Sequence, residues 1–229
     1  MDRNTMRIAC IIPAFDEEPT IERIASGARR YCDQVFVVDD GSSDRTAELS
    51  RKAEATVISH LIRLGTGGAI STGFCAALKT ECEIILTMDG DGQHDPAEIP
   101  LVLEPILAQG ADVVVGSRLL QKSEAMPIIK RIGNTSLSVV TSLISGTKIT
   151  DSQSGFRAYR RRVLEFIMHS AWGYPWASEM LILAAKAGFE IKEAPITAIY
   201  TQERQRGTNV KDGLQILYSM LKSPNSRSP

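Results

Sequence analysis

Two apolar patterns alternate along the first half of the chain. Short runs of apolar residues predict buried strands, and stretches with apolar residues three or four positions apart predict helices. The predicted strands lie in MRIACIIPAF, QVFVVDD, ATVIS, EIILTMD and ADVVVGSR. Because nearly continuous apolar strands that alternate with helices are buried on both faces, the pattern predicts an α/β fold with a mostly parallel sheet.

The alternation stops after Arg118, and the second half of the chain has a different pattern. IGNTSLSVVTSLIS predicts a helix, DSQSGFRAYRRRVLEFI a short strand and a helix, SEMLILAAKAGFE a helix, and IKEAPITAIY a strand. Residues 210–221 are weakly amphipathic and predict a helical C-terminal extension. The chain contains no repeat and no clear linker, so we expect one domain.

The predicted domain covers residues 1–222, with one half at about 1–118 and the other at about 119–222. Residues 223–229 have the sequence SPNSRSP, whose composition predicts disorder. The ends of parallel strands bind ligands in folds of this kind. Polar groups at or just beyond the predicted strand ends are therefore the candidate site.

Composition narrows the classes of function. The 229 residues carry a formal net charge of −1, which gives no electrostatic indication of nucleic-acid binding. The four cysteines form no CxxC pair and indicate a reducing compartment. A strand begins within a few residues of the N-terminus and no apolar run reaches about 18 residues, so we expect a cytoplasmic protein without a signal peptide or membrane span.

The stretch ILTMDGDGQHDP carries the most chemistry. Asp89 and Asp91 follow a buried strand, and side chains two positions apart share a face of a strand. Two carboxylates on one face suit Mg²⁺ or Mn²⁺, which keep waters and share a substrate's phosphates. Gly90 allows a ligand to approach the backbone closely. Asp95 is interpreted as the cap of the following helix, and His94 has no assigned role.

Three kinds of site compete for this stretch. A calcium EF-hand needs glycine at the sixth position and glutamate at the twelfth, and these positions hold His94 and Pro100. A haloacid-dehalogenase-type phosphatase usually has threonine where Gln93 stands and has its DxD motif near the chain start. A nucleotide-sugar transferase is the third alternative, and the other motifs must decide whether it applies.

Two further motifs lie at predicted strand ends. VVDDGSSDRT places Asp39 and Asp40 where carboxylates can accept hydrogen bonds from a base or a ribose, although Asp-Gly-Ser is also ordinary turn chemistry. IRLGTGGAISTG is rich in glycine, but it matches neither GxGxxG nor a Walker loop. We interpret its glycines as positions that allow a helix to pack closely near a ligand.

Together these motifs resemble the family 2 glycosyltransferases of GT-A (Rossmann-like) fold, and especially the dolichyl- or polyprenyl-phosphate mannose and glucose synthases. The matching stretches are IIPAFDEEPTI, VFVVDDGSSDRT, RLGTGGAISTG, LTMDGDGQHDP, VVVGSR and DSQSGFRAYRR, in the expected order across about residues 6–162. That order is more specific than any single motif. The resemblance implies inverting, metal-dependent transfer of a hexose from a GDP-mannose or UDP-glucose type of donor to a lipid phosphate.

The resemblance also implies a role for each matching residue. Asp89, Asp91 and Gln93 would hold one Mg²⁺ or Mn²⁺ ion, and Arg118 would act with the two aspartates in catalysis. Arg118, Arg131 and Arg206 would contact the acceptor. The donor nucleotide sugar would lie against Pro13, Phe15, Glu17, Asp39, Asp40, Asp89, Gly90 and Asp91.

The chain departs from the family pattern in two places. Phe15-Asp16-Glu17 replaces the frequent Tyr-Asn-Glu, and RQRGTNVK only partly matches the C-terminal Arg-x-x-Gly-x-Ser-Lys, so either Arg204 or Arg206 would contact phosphate. A lipid phosphate acceptor is ionised and needs no general base. Because such an acceptor lies in a membrane, residues 210–221 could contact the membrane surface, or the chain could bind a membrane partner protein.

Two alternatives remain open from the sequence. The acceptor could be a sugar hydroxyl, which requires a base, with Asp151 as the candidate and Glu179 as a second. The chain could also be a donor-binding partner subunit without turnover. Intact Asp89, Asp91, Gln93 and Arg118 argue against that second alternative.

Overall fold

The chain folds around one seven-stranded sheet. The computed structural model describes residues 6–120, 126, 128–170 and 177–199. The strands are β1 Ile8–Ala14, β2 Gln34–Asp39, β3 Thr56–Ser59, β4 Ile84–Thr87, β5 Val113–Ser117, β6 Arg157–Arg160 and β7 Ile191–Pro195. The helices are α1 Ile21–Ala28, α2 Thr46–Lys52, α3 Gly65–Ala77, α4 Ile99–Gln109, α5 Ile128–Ser145, α6 Arg161–Ser170 and α7 Ala177–Lys186, with a short 3₁₀ turn at Pro96–Glu98.

The strand order is β3-β2-β1-β4-β6-β5-β7, and β6 is the strand that runs against the others. It pairs antiparallel with β4 on one side and β5 on the other, through pairs such as Thr87 with Arg157 and Val115 with Arg157. The predicted α/β class with a mostly parallel sheet is confirmed. The position of β6 between β4 and β5 was not part of the prediction.

Side chains from alternate positions of β1 enter two separate apolar layers. Ile12 packs in a layer with Ile24 and Val102 from α1 and α4, whereas Ile11 packs in a layer with Phe74 from α3 and with residues of α6 and α7. This is the two-residue period of a strand that is buried on both faces. The sheet is therefore covered by an apolar layer on each face.

Gly73 allows helix α3 to approach strand β1 closely. A Cβ atom at Gly73 would lie 2.3 Å from Cγ2 of Ile11, which is far too close for two carbon atoms. The prediction that glycines in this stretch permit close helix packing is confirmed at Gly73. The first turns of the same helix border the candidate site, where Thr66 and Ala69 line the pocket.

Some predicted features fall outside the described residues. These are Arg204, Arg206, the amphipathic helix at 210–221 and the tail at 223–229, so each of them stays a prediction, as do the domain bounds. In the described part of the chain, no helix combines the length and the apolar character needed to cross a membrane.

Candidate functional site

A pocket opens at the carboxyl edge of the sheet, where β1, β2 and β4 end. The structure brings seven of the eight predicted donor-binding residues to its wall. They are Pro13, Phe15, Glu17, Asp40, Asp89, Gly90 and Asp91. Asp39 is the eighth; it is nearly buried, does not line the pocket, and accepts a hydrogen bond from the backbone N–H of Ser42.

Two neighbouring loops are tied together beside this pocket. The carboxylate of Asp16 accepts hydrogen bonds from the backbone and the hydroxyl of Ser43, and the backbone N–H of Glu17 donates to Thr46. Asp16 has a φ of 52°, a left-handed conformation that Asn and Asp adopt more readily than most residues. The replacement of the family's asparagine by Asp16 therefore preserves the turn.

Asp40 holds the loop that connects β3 to α3. Its carboxylate accepts hydrogen bonds from the backbone N–H groups of Leu64 and Gly65, each at 2.8 Å, and lies 2.8 Å from Nδ1 of His60. The other ring nitrogen of His60 lies 3.0 Å from the hydroxyl of Thr72 in α3. Asp40 is therefore fully engaged in fixing the loop, and a direct contact with the base or ribose stays a prediction.

The same loop carries a cation into the pocket. The guanidinium carbon of Arg63 lies 3.9 Å from the centre of the Phe15 ring, which is a cation–π contact. Both residues line the pocket together with Asp40. The wall formed by β1 and the β3–α3 loop thus offers an aromatic surface and a positive charge to a ligand.

Asp89 differs from every carboxylate described so far. It accepts no hydrogen bond from any residue that the structure describes, and Nδ1 of His94 lies 3.7 Å from one of its carboxylate oxygens. Its side chain is 32 % exposed at the pocket wall. Burial raises the pKa of Asp89, partly offset by the positive charges of Arg118 and Arg157.

Asp91 is held by its own loop. The backbone N–H of Gln93 donates to one oxygen of Asp91 and the Gln93 side-chain amide donates to the other. Burial, and then the charge of Asp89, raise the pKa of Asp91. The predicted cap is confirmed nearby, because Asp95 accepts a hydrogen bond from the backbone N–H of Ala97 at the start of the 3₁₀ turn.

The two aspartates fit a divalent cation. The Asp89 carboxylate accepts no hydrogen bond within the described part of the chain, and its negative charge raises the pKa of Asp91. Between them, a Cβ atom at Gly90 would lie only 3.1 Å from the carbonyl oxygen of Pro13. Among the described residues no group of three His, Cys, Asp or Glu side chains could hold a metal. Two carboxylates with the remaining positions left to water and ligand oxygens are typical of Mg²⁺ sites that share a substrate's phosphates.

His94 is a buried ring without a hydrogen-bond partner in the described structure. Both of its nitrogens lack one, the residue is 1 % exposed, and its ring lies 5.3 Å from that of Phe156. Burial, followed by the charge of Arg118, lowers the pKa of His94 to about 4. The ring is therefore neutral at pH 7.

Arg118 and Asp151 form a buried two-pronged ion pair. Nε and Nη2 of Arg118 donate to the two oxygens of Asp151 at 2.7 and 2.9 Å, and the Arg118 backbone N–H donates at 3.1 Å. Burial opposes ionisation of Asp151, but the hydrogen bonds and charge of Arg118 outweigh it and lower its pKa. The guanidinium of Arg118 is thus fixed, and its charge reaches Asp89.

The surroundings of Asp151 do not favour it as a general base. Asp151 is completely buried, both of its oxygens are occupied by Arg118, and its pKa is lowered. A base needs a free lone pair within reach of a substrate proton and a pKa nearer to neutrality. Asp151 instead orients Arg118.

A second depression, the α5 groove, lies between α5 and the segment 146–150 that follows it. Its volume is about 690 Å³ and most of its wall is apolar, with Val139, Leu143 and Ile149 in the lining. Arg131 and Lys148 add two positive charges to the wall. The predicted acceptor residue Arg131 therefore lies beside an apolar surface and not in the donor pocket.

Several residues that shape the site had no assigned role from the sequence. Glu193 in β7 accepts hydrogen bonds from Thr150 and from the backbone N–H of Asp151, and so supports the ion pair with Arg118. Gly155 lies against Asp89. The segment DSQSGFR was recognisable as a motif, but its contacts reach across more than 30 residues and no local pattern reveals them.

Comparison with known proteins identifies the family. The family model described as glycosyl transferase family 2 matches residues 9–168. The chain is 41 % identical over 224 residues to the uncharacterized protein MJ1222 of Methanocaldococcus jannaschii, covering 95 % of this chain and 92 % of that protein. It is 37 % identical to the UDP-N-acetylglucosamine–dolichyl-phosphate N-acetylglucosaminyltransferase of Methanococcus voltae, covering 93 % and 94 % of the two chains.

A more distant relative and a solved structure extend the comparison. The polyprenol monophosphomannose synthase of Mycolicibacterium smegmatis is 32 % identical, over 96 % of this chain and 86 % of that protein. The fold matches glucosyl-3-phosphoglycerate synthase from Mycobacterium tuberculosis, solved with Mn²⁺, uridine diphosphate and phosphoglyceric acid, with a TM-score of 0.74 at 20 % identity over 99 % of this chain and 81 % of that one. At that identity the likeness shows the fold alone.

Proposed function

Because this chain belongs to glycosyltransferase family 2, we propose that it transfers a sugar from a nucleoside diphosphate sugar to a polyprenyl phosphate, with inversion at C1. The relatives support this substrate pair, since one is a dolichyl-phosphate N-acetylglucosaminyltransferase and another a polyprenol monophosphomannose synthase. The donor is a GDP- or UDP-sugar. The reaction takes place at a membrane surface, where the lipid acceptor lies.

The proposal rests on the carboxylate of Asp89, to which no residue in the described ranges donates a hydrogen bond. It lies in one pocket with Asp91, the Phe15–Arg63 pair and Asp40. An ionised carboxylate that is partly removed from water and accepts no hydrogen bond from the described residues is costly unless a ligand completes it. A donor diphosphate with a divalent cation supplies that ligand, and Mg²⁺ or Mn²⁺ is the cofactor we propose.

Asp89 and Asp91, with Gln93 beside them, would hold the cation. A cation bound there would neutralise the charge that grows on the diphosphate as the C1–O bond breaks. Arg118 adds a positive charge whose position Asp151 fixes through two parallel hydrogen bonds. A preoriented guanidinium stabilises developing negative charge without having to reorganise during the reaction.

Among the residues that the structure describes, neither candidate base is suited to activate a sugar hydroxyl, and this favours a phosphate acceptor. Asp151 is occupied by Arg118, and Glu179, the other candidate from the sequence, does not line the donor pocket. A phosphate monoester with a second pKa of about 6 is largely ionised at pH 7 and attacks without a base. It needs cations to bring it beside the donor, and arginine suits this task.

The α5 groove fits the two chemical parts of such an acceptor. Arg131 and Lys148 can bind a phosphate, and the apolar wall of Val139, Leu143 and Ile149 can cover the first units of a hydrocarbon chain. Exposed apolar residues continue along α5, where Ile132 is 62 % and Leu143 77 % exposed. A soluble sugar acceptor has no use for such a surface.

A ligand screen followed by a transfer assay tests the proposal. The protein is melted with GDP-mannose, UDP-glucose or UDP-N-acetylglucosamine, each with and without Mn²⁺. A donor that binds the folded state raises the melting temperature by mass action. We expect one nucleotide class to stabilise the protein only when Mn²⁺ is present, and polyprenyl phosphate vesicles then to accelerate release of the nucleoside diphosphate.

Each arm of that experiment has a contradicting outcome. If a donor stabilises the protein equally well without Mn²⁺, the proposed cation is not part of the donor site. Stabilisation without release of nucleoside diphosphate would indicate a donor-binding subunit, and acceleration by a soluble sugar in place of the lipid phosphate would reassign the acceptor.

A further inference from the structure

The segment Asp151–Arg157, with the sequence DSQSGFR, joins two groups of the site that are far apart in the chain. At its first residue, Asp151 holds the guanidinium of Arg118. Near its last residue, the α-carbon of Gly155 faces Asp89, because a Cβ atom there would lie 2.5 Å from each carboxylate oxygen. The segment is therefore in contact with Asp89, the candidate cation ligand, and with Arg118, the arginine that would stabilise the charge of the leaving diphosphate.

Arg157 holds this segment in place from within the protein. It is 2 % exposed, and its guanidinium donates to the carbonyl oxygens of Ser152 and Ser154 at 2.7 Å and of Ala177 at 2.6 Å. No carboxylate of the described chain lies within ion-pair distance of it. A buried charge satisfied by carbonyl groups from two segments acts as a geometric clamp, since the planar fork fixes where those carbonyls lie.

Strand β4 adds a second attachment. The hydroxyl of Thr87, two residues before Asp89, donates to the carbonyl oxygen of Gly155 at 2.8 Å. Thr87 is also the ladder partner of Arg157. The segment and the start of the DGD loop are thus held at one fixed separation, with room for the carboxylate but not for a methyl group.

We propose that Gly155 and Arg157 are positioning residues of the donor site. Arg157 clamps the segment, and Gly155 leaves the space in which the Asp89 carboxylate takes its cation-binding orientation. This inference rests on the proposed function, because it assigns the two residues to the cation site. Neither residue touches substrate, and both act through Asp89 and Arg118.

Gly155→Ala is the sharpest test of the space beside Asp89. The new methyl group would meet the end of a flexible side chain and not backbone, so the protein folds while Asp89 turns away. Residues that orient metal ligands typically change metal affinity by 10–100-fold, so the half-saturating Mn²⁺ concentration for nucleotide-dependent stabilisation should rise by at least about tenfold. Direct titration of Mn²⁺ by electron paramagnetic resonance, with nucleoside diphosphate present, measures the same constant without catalysis.

Gly133→Ala is the matched control. Gly133 is in α5, and a Cβ atom there meets nothing within 4 Å, so the Mn²⁺ constant should stay at the wild-type value. An unchanged Mn²⁺ constant in Gly155→Ala would overturn the role of Gly155.

Arg157→Lys tests the clamp and has a control on the same strand. Lysine keeps the charge but cannot reach three carbonyls, so Mn²⁺ affinity should also fall by about tenfold. Arg160, at the other end of β6, likewise donates to backbone carbonyls, those of Ala111 and Ile106, but away from the site. Arg160→Lys should lower the melting temperature without changing the Mn²⁺ constant.

The outcomes separate this inference from the proposed function. If the wild-type protein shows no Mn²⁺-dependent nucleotide binding, the proposed function fails. If the wild type binds and Arg157→Lys only lowers the melting temperature, as Arg160→Lys does, then Arg157 is merely structural and the positioning role is wrong.

Discussion

The ends of strands β2 and β4 both carry aspartates, but the two ends treat them differently. Asp40, after β2, is 3 % exposed and receives two backbone hydrogen bonds and the His60 ring. Asp89, after β4, receives no hydrogen bond from the described residues, and burial raises its pKa. The carboxylate of Asp40 holds a loop, whereas the described residues supply no hydrogen-bond donor to the carboxylate of Asp89. The difference separates stability from function at neighbouring positions of one sheet edge.

Asp89→Asn should have the largest effect and should act on function alone. Loss of one preorganised electrostatic group in a transfer reaction costs about 10²–10³-fold in kcat, and we expect a loss of at least this size here. The unfolding free energy should stay equal or rise, because the ionised carboxylate is partly buried without a hydrogen-bond partner in the described chain. Sugar transfer and urea unfolding at pH 7.5 measure the two quantities.

Asp95→Asn is the control for that variant in the same loop. Asparagine caps a helical turn nearly as well as aspartate, so activity and stability should both be retained. Wild-type turnover in Asp89→Asn would sink the assignment of Asp89 to the donor site, and so would a large loss of stability.

Asp40→Asn should reverse the pattern and reduce stability first. The amide nitrogen would face a backbone N–H, leaving a buried donor without an acceptor, which costs about 1–3 kcal/mol. Asp33→Asn is the control, because Asp33 accepts one hydrogen bond from the backbone N–H of Ile8 at the other end of the sheet. Chemical unfolding of both variants measures the difference in their unfolding free energies. Full stability in Asp40→Asn would erase the contrast between the two strand ends.

The two strand ends also show what the sequence could reveal. The alternation of strands and helices places Asp40, Asp89 and Asp91 at one sheet edge, and the structure brings them to one pocket wall. The hydrogen bonds that saturate Asp40 come from residues 20 to 25 positions away and depend on the path of the β3–α3 loop. No local pattern encodes that path, so the direct ligand role predicted for Asp40 could not be separated from a structural one.

The Arg118–Asp151 pair was hidden for a topological reason. The alternating pattern ends at Arg118, and the sequence beyond it predicts elements but not their order in the sheet. Asp151 reaches Arg118 because β6 runs antiparallel between β4 and β5, bringing the segment before it to the same edge. Taken without that topology, Asp151 is an acid in a polar turn, which is why it was considered as a base.

His94→Phe should give the smallest effect and refine the view of the β4 end. Like the carboxylate of Asp89, the ring of His94 has no hydrogen-bond partner among the residues whose structure is described, but its pKa is lowered to about 4 from an ordinary value of 6.5. Between pH 6.5 and about pH 4, His94 is protonated in the unfolded chain but stays neutral in the folded protein. The folded state therefore loses stability as the pH falls through this window. At pH 5.5 the loss is about 1 kcal/mol. Phenylalanine can pack against Phe156 and does not titrate, so the variant should lose that much less stability than the wild type between pH 7.5 and pH 5.5, as measured by urea unfolding. An identical acid response in both proteins would mean that the ring at position 94 is not held neutral, and the β4 end would then contain one unsatisfied group, Asp89, and not two.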